Sequence, residues 1–64
     1  MIINGKEMDF KEGITLSNLL KSLNVPEDKV VVEVDLNILS KDEYKTYKLS
    51  TESKVEIIRF VGGG

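Results

Sequence analysis

The chain has no cysteine, no histidine and no tryptophan, and a single proline in its 64 residues. Without cysteine it has no disulfide, no thiol nucleophile and no thiolate metal ligand. Without histidine the commonest general base and the commonest metal ligand are also missing. A small cysteine-free domain fits a reducing compartment, so a cytoplasmic location is expected. No apolar run approaches the ~20 residues of a membrane span and no secretory signal is visible, so no membrane partner is expected. Nine Lys and Arg stand against eleven Asp and Glu, for a net charge of −2. The two signs alternate along the chain, which argues against a nucleic-acid partner. A chain this short buries only ~60% of the surface its unfolded form exposes. It has material for one modest core and none for a deep substrate cavity of its own, which weighs against a self-sufficient enzyme.

What is present is well patterned. Met1–Ile3 is a short apolar run followed by Asn4-Gly5, a strong signal for a type I′ hairpin because both residues tolerate positive φ. Lys6 to Phe10 then alternates, which places Met8 and Phe10 on one face of a second strand. Lys11-Glu12-Gly13 reads as a turn. Thr15 is a good helix N-cap, and Leu16, Leu19, Leu20 and Leu23 form one helical stripe, with Lys21 and Ser22 left facing water. Asn24 closes the helix and Pro26 prevents its resumption. Val30–Val34 is β-branched and nearly all apolar, which predicts a strand in a central position. Leu36–Leu39 turns the chain with a brief pairing. Ser40-Lys41-Asp42-Glu43 carries the capping-box pattern of a single helical turn. Tyr47–Leu49 reads as a short strand, Ser50–Ser53 as a polar turn, and residues 54–61 as the last strand.

Strands interrupted by one helix indicate an α+β fold. The hairpin–helix–strand order is that of a single β-grasp, or ubiquitin-like, domain: a mixed sheet of four or five strands with one main helix. The expected division is a domain over residues 1–61 and a flexible glycine tail over 62–64.

Three of the five glycines occupy the last three positions, Gly62, Gly63 and Gly64. Such a segment is poor at packing and costly to order. It is suited to entering a narrow cleft and presenting an unobstructed α-carboxylate. Residues 61–64 would reach ~13 Å when extended. A free carboxylate is a poor electrophile, so Gly64 would first need activation, most simply as an acyl-adenylate. That step calls for ATP and cations around its phosphates. The chain has no phosphate-binding loop with its lysine, so the activating machinery must belong to a partner. The plain alternative is a frayed terminus without function.

On the last strand, Val55 and Ile57 share one face and Ile58 and Phe60 the other. If the helix covers one side only, Ile58 and Phe60 are exposed apolar residues beside the tail. They read either as scattered surface hydrophobes or as a docking patch. Other candidates are weaker. Asp42 and Glu43 are explained by capping, and no metal site is expected there because hard cations need several converging oxygens. Glu33 and Asp35 read as the exposed side of their strand, and Tyr44 and Tyr47 as partial core. Lys21, Lys29 and Lys54 form no obvious patch.

The whole chain resembles the ThiS family of sulfur carriers in thiamine biosynthesis. The resemblance is carried by Ile2-Ile3-Asn4-Gly5-Lys6, the Thr15–Leu23 helix, Val30 to Asn37, Ser40 to Tyr44, and Val55 through Gly64. A terminal glycine pair alone is unspecific, since ubiquitin-like modifiers and the small subunit of molybdopterin synthase share it. The resemblance implies that an E1-like, ThiF-type adenylyltransferase activates Gly64 with ATP and magnesium. A sulfur donor system such as a cysteine desulfurase would then convert it to a thiocarboxylate, and a ThiG-type thiazole synthase would take the sulfur. No cofactor would be bound by the chain itself. Gly63 and Gly64 match the family's essential pair. Ile58 and Phe60 match apolar docking positions, with Val61 and Gly62 adjoining them in contact with the partner. A ubiquitin-like modifier, a molybdopterin-type sulfur carrier and a non-covalent interaction domain with an inert tail share this fold, and the residues alone leave them open.

Overall fold

A computed structural model describes residues 1–60. Asn4 and Gly5 have φ of 51° and 79°, the positive values a type I′ turn needs. They join strand β1 (Ile2–Ile3) to antiparallel β2 (Lys6–Glu7). The second strand is shorter than its alternation suggested. Met8 and Phe10 nonetheless pack against the core beyond it.

Helix α1 (Leu16–Ser22) begins where Thr15 Oγ1 accepts from the Asn18 N–H at 3.2 Å. At seven residues it is too short to be stable alone. Packing holds it: Leu16, Leu19 and Leu20 are fully buried, each worth about 1.5–3 kcal/mol. Asn24, at φ 58°, ends it in the left-handed conformation. A 3-10 turn at Glu27–Lys29 leads into β3 (Val30–Val34), which hairpins into β4 (Asn37–Ile38). Ser40 and Glu43 form the expected capping box on a 3-10 turn at Lys41–Glu43. The chain returns through β5 (Lys54–Arg59).

The five strands lie in the order β2-β1-β5-β3-β4, with β5 parallel to β1 and antiparallel to β3. This is the mixed sheet and single covering helix of a β-grasp. The core lies between them, with Ile3, Val30, Val32, Val34 and Val55 from the sheet against the leucines of α1.

Four expectations are corrected. The middle strand is β5, not β3. Val30, Val32 and Val34 are buried, whereas Val31 is half-buried, so β3 has one covered face and an apolar residue on the other. Tyr47–Leu49 is not a sheet strand; Lys48 makes only a single bridge to Thr15 beside the helix. Asp35 is not on the exposed side of a strand. It sits with Leu36 in the β3–β4 turn, at φ of 50° and 71°. From there its Oδ1 accepts from the Lys54 N–H at 3.0 Å and its own N–H donates to the Lys54 carbonyl at 2.8 Å. Tyr44 is entirely rather than partly buried.

Candidate functional site

The last strand sorts its side chains as its alternation predicts. Val55 is buried and Ile57 half-buried beneath the helix, while Ile58 and Phe60 are 48% and 50% exposed. Opposite Ile58 across the β3–β5 ladder stands Val31, whose apolar side chain continues the patch on the uncovered face. Ile38, 68% exposed, extends that face on the edge strand β4, paired with Glu33. Glu33 and Glu56 stand directly opposite one another next to the patch. Like charges in that arrangement disfavour the fold slightly, and neither has an ion-pair partner among the described residues.

The backbone is fixed up to Phe60. Its N–H donates to the Lys29 carbonyl at 3.0 Å, one step beyond the end of β5. Lys41 Nζ lies 5.9 Å from the Phe60 ring centroid and 5.4 Å from that of Tyr44, within cation–π range of both. The same ammonium group donates to the Glu27 carbonyl. Phe60 is therefore held at its root by the 3-10 turn that leads into β3 and on its ring by a lysine 19 residues away in sequence, and it still presents half its surface.

Tyr44 supports this corner from below. Among the described residues its buried hydroxyl has no hydrogen-bond partner of good geometry. Burial pushes its pKa up, the Val32 backbone offsets part of that rise, and the charge of Glu27 adds to it. Raised in this way, the phenol stays neutral and structural.

Of the expected site residues, Ile58 and Phe60 come together on one exposed face. Val61, Gly62, Gly63 and Gly64 lie outside the described residues, as does the expected boundary between domain and tail. Among the described residues no group of three or more acidic, histidine or cysteine side chains converges as a metal site, and no helix is long and apolar enough to cross a membrane.

Two features went unread in the sequence. Lys41 reaches Phe60 through tertiary structure, and no local pattern signals that. Arg59 was legible: the alternation that buries Val55 and half-buries Ile57 also puts Arg59 on the helix side. There it lines a groove with Lys6, Met8, Leu23, Val25 and Ile57. A charged residue on an inner face was the available signal.

Comparison with known proteins converges on one family. Its sequence pattern matches residues 1–64 in full. The sulfur carrier protein ThiS of Bacillus subtilis is 35% identical over 63 residues, covering 97% of this chain and 96% of that protein. A thiazole synthase of Paramagnetospirillum magneticum is 39% identical over 64 residues, covering all of this chain but 20% of that protein. The chain thus spans about a fifth of the thiazole synthases it matches, a second being that of Magnetococcus marinus. Among solved structures, the crystal structure of the thiamine biosynthesis protein ThiS from Geobacter metallireducens superposes with a TM-score of 0.80 at 29% identity, covering 98% of this chain and 96% of that one. With the same fold, nearly the same length as the Bacillus carrier and a match from first residue to last, the chain belongs to the ThiS family.

Proposed function

We propose that this chain is a sulfur carrier: a protein co-substrate whose Gly64 carboxylate is converted to a thiocarboxylate that supplies sulfur for the thiazole of thiamine. The observation that carries this reading is the family match across residues 1–64, which takes in both the exposed apolar end of β5 and the glycines that follow it. In the first step the Gly64 carboxylate attacks the α-phosphorus of ATP and pyrophosphate leaves. In the second, a sulfur nucleophile from the donor system displaces AMP. An E1-like, ThiF-type adenylyltransferase supplies ATP binding and magnesium, since this chain has neither a phosphate loop with its lysine nor a histidine. Sulfide would give the thiocarboxylate directly. Where a cysteine desulfurase is the source, its persulfide displaces AMP to form an acyl disulfide. A thiol reductant then attacks the S–S bond, takes the desulfurase sulfur into a disulfide and leaves the thiocarboxylate on Gly64.

The two long thiazole synthases that carry a region similar to this chain support a ThiG-type enzyme as acceptor. A cytoplasmic site for this chemistry is supported by the absence of cysteine, which fits a reducing compartment. Ile58 and Phe60 dock the domain, with Val61 and Gly62 leading into the partner's cleft. Gly63 and Gly64 fit where a side chain would obstruct attack on the carbonyl.

Intact-mass measurement tests the proposal on protein gently purified from cells grown without thiamine. A species heavier by the difference between one sulfur and one oxygen, localised to Gly64 by fragmentation, is the expected result. Unmodified mass alone, even after incubation with ATP, sulfide and an adenylating partner, overturns it. Isopeptide adducts on cellular lysines would instead identify a modifier.

A further inference from the structure

We infer that the free edge of β5 at Arg59 is a docking strand for an extended, carboxylate-bearing segment of the enzyme that receives the glycine terminus. The identity of that partner rests on the sulfur-carrier reading; the edge itself follows from the hydrogen-bond pattern.

In an antiparallel ladder the backbone groups of successive residues point to alternate sides. The Phe60 N–H bonds the Lys29 carbonyl and the Lys54 carbonyl bonds the Asp35 N–H, so the even-numbered residues of β5 face β3. The odd-numbered ones face β1. The Val55 carbonyl accepts from the Asn4 N–H at 2.8 Å. The Ile57 N–H donates to Asn4 Oδ1 at 2.6 Å, and the Ile57 carbonyl accepts from Asn4 Nδ2 at 3.3 Å. The backbone N–H and C=O of Arg59 therefore face the same way, but β1 has already ended at Ile3. The Asn4 side chain stands in for a strand at Ile57 and reaches no further. Among the described residues nothing pairs with the Arg59 backbone.

An open N–H and C=O pair at a sheet edge is a template for another strand. Beside this one opens a groove of about 380 Å³, with Met8, Leu23, Val25 and Ile57 as apolar walls and Lys6 and Arg59 as its cations. Both cations are exposed and neither has an ion-pair partner among the described residues. A strand laid along β5 would send alternate side chains toward the groove. The two cations select a carboxylate among those side chains. A strand seated at Arg59 also lies where β5 leads into residues 61–64, so it would set the direction in which the reactive end leaves the domain.

The test uses ¹⁵N-labelled full-length protein with an adenylating enzyme and, separately, a thiazole synthase. Binding is measured by calorimetry and Arg59 amide exchange by NMR. With at least one enzyme, the Arg59 amide should exchange more slowly by about tenfold or more. Arg59→Pro removes the outward N–H without touching the β3 ladder. It should keep the melting temperature and lose about tenfold in affinity, while Arg59→Gln keeps the amide protection and weakens the salt dependence of association. If Arg59→Pro does not fold, the exchange result on the parent and on Arg59→Gln still decides. Tight binding with an unprotected Arg59 amide, or undiminished binding by Arg59→Pro, overturns the docking edge and leaves sulfur carriage standing. Protection that appears without enzyme and grows with protein concentration identifies a second copy as the occupant and overturns it too. Absence of binding to both enzymes overturns the edge and the sulfur-carrier reading together.

Discussion

Asn4 grips Ile57 with both ends of one side-chain amide, accepting from its N–H at 2.6 Å and donating to its carbonyl at 3.3 Å. The residues are 53 apart, so a hairpin-turn residue also ties the first strand to the last. Asn4 does this from φ 51°, a conformation Asn tolerates better than most side chains. Asn4→Ala should lose both bonds and add backbone strain, for about 2–3 kcal/mol of stability. Asn4→Gly should lose the bonds without the strain, for about 1 kcal/mol. Urea denaturation of the two variants measures the difference, and equal stability of Asn4→Gly and the parent would contradict the strand-substitute role.

Leu36 carries the opposite kind of turn residue. It has φ 71° and is 83% exposed, so it bears left-handed strain with no burial to offset it. Leu36→Asn should raise stability by about 0.5–1 kcal/mol. A thermal melt showing a clear loss would mean that Leu36 makes contacts that outweigh its strain.

These two turns show what was legible in the sequence. Asn4-Gly5 announced its hairpin because its residues favour positive φ. Asp35-Leu36 adopts the same sign of φ with a leucine in second place, and nothing in its chemistry says so. Tertiary pairing imposes that turn: Asp35 is fastened to Lys54, and Asn37 Nδ2 donates to the Asp35 carbonyl at 3.2 Å. The leucine stripe of α1, the Ser40–Glu43 cap and the exposure of Ile58 and Phe60 were all readable from period and residue type. The central place of β5 was not, because an alternating strand gives no sign that both its edges are paired. Lys41 over Phe60 and the groove between Lys6 and Arg59 depend on segments far apart in the chain, where local pattern carries no information.

Tyr44 gives a prediction in pH. Its hydroxyl is buried with no hydrogen-bond partner of good geometry among the described residues, and its pKa is raised chiefly by that burial. The unfolded chain therefore releases this proton first, near the ordinary tyrosine value of about 10. Stability is unaffected below that pH and falls as pH rises from there toward the folded pKa, because the unfolded state binds fewer protons across that interval. Tyr44→Phe removes both the titration and the unpaired hydroxyl. At neutral pH it should be neutral or stabilising by up to about 1 kcal/mol, and its stability should decline less steeply above pH ~10 than the parent's. Parallel decline in parent and variant would show that Tyr44 ionises without cost to the fold.

Ile58 and Phe60 are anchored by backbone pairing and half exposed, so their side chains contribute little to stability for their size. Replacing both with alanine should lower stability by about 1 kcal/mol. If they dock an adenylating enzyme, the same change should weaken binding by about 2 kcal/mol or more. ATP–pyrophosphate exchange catalysed by that enzyme separates docking from chemistry. Loss of docking raises KM for this protein and leaves kcat nearly unchanged, because the glycine end still reacts once bound. Lys41→Met, which keeps most of the side-chain length and removes the charge over the Phe60 ring, should give a smaller rise in KM. A double alanine variant with the parent's KM would make Ile58 and Phe60 ordinary surface hydrophobes. The whole burden of recognition would then fall on the tail and the β5 edge.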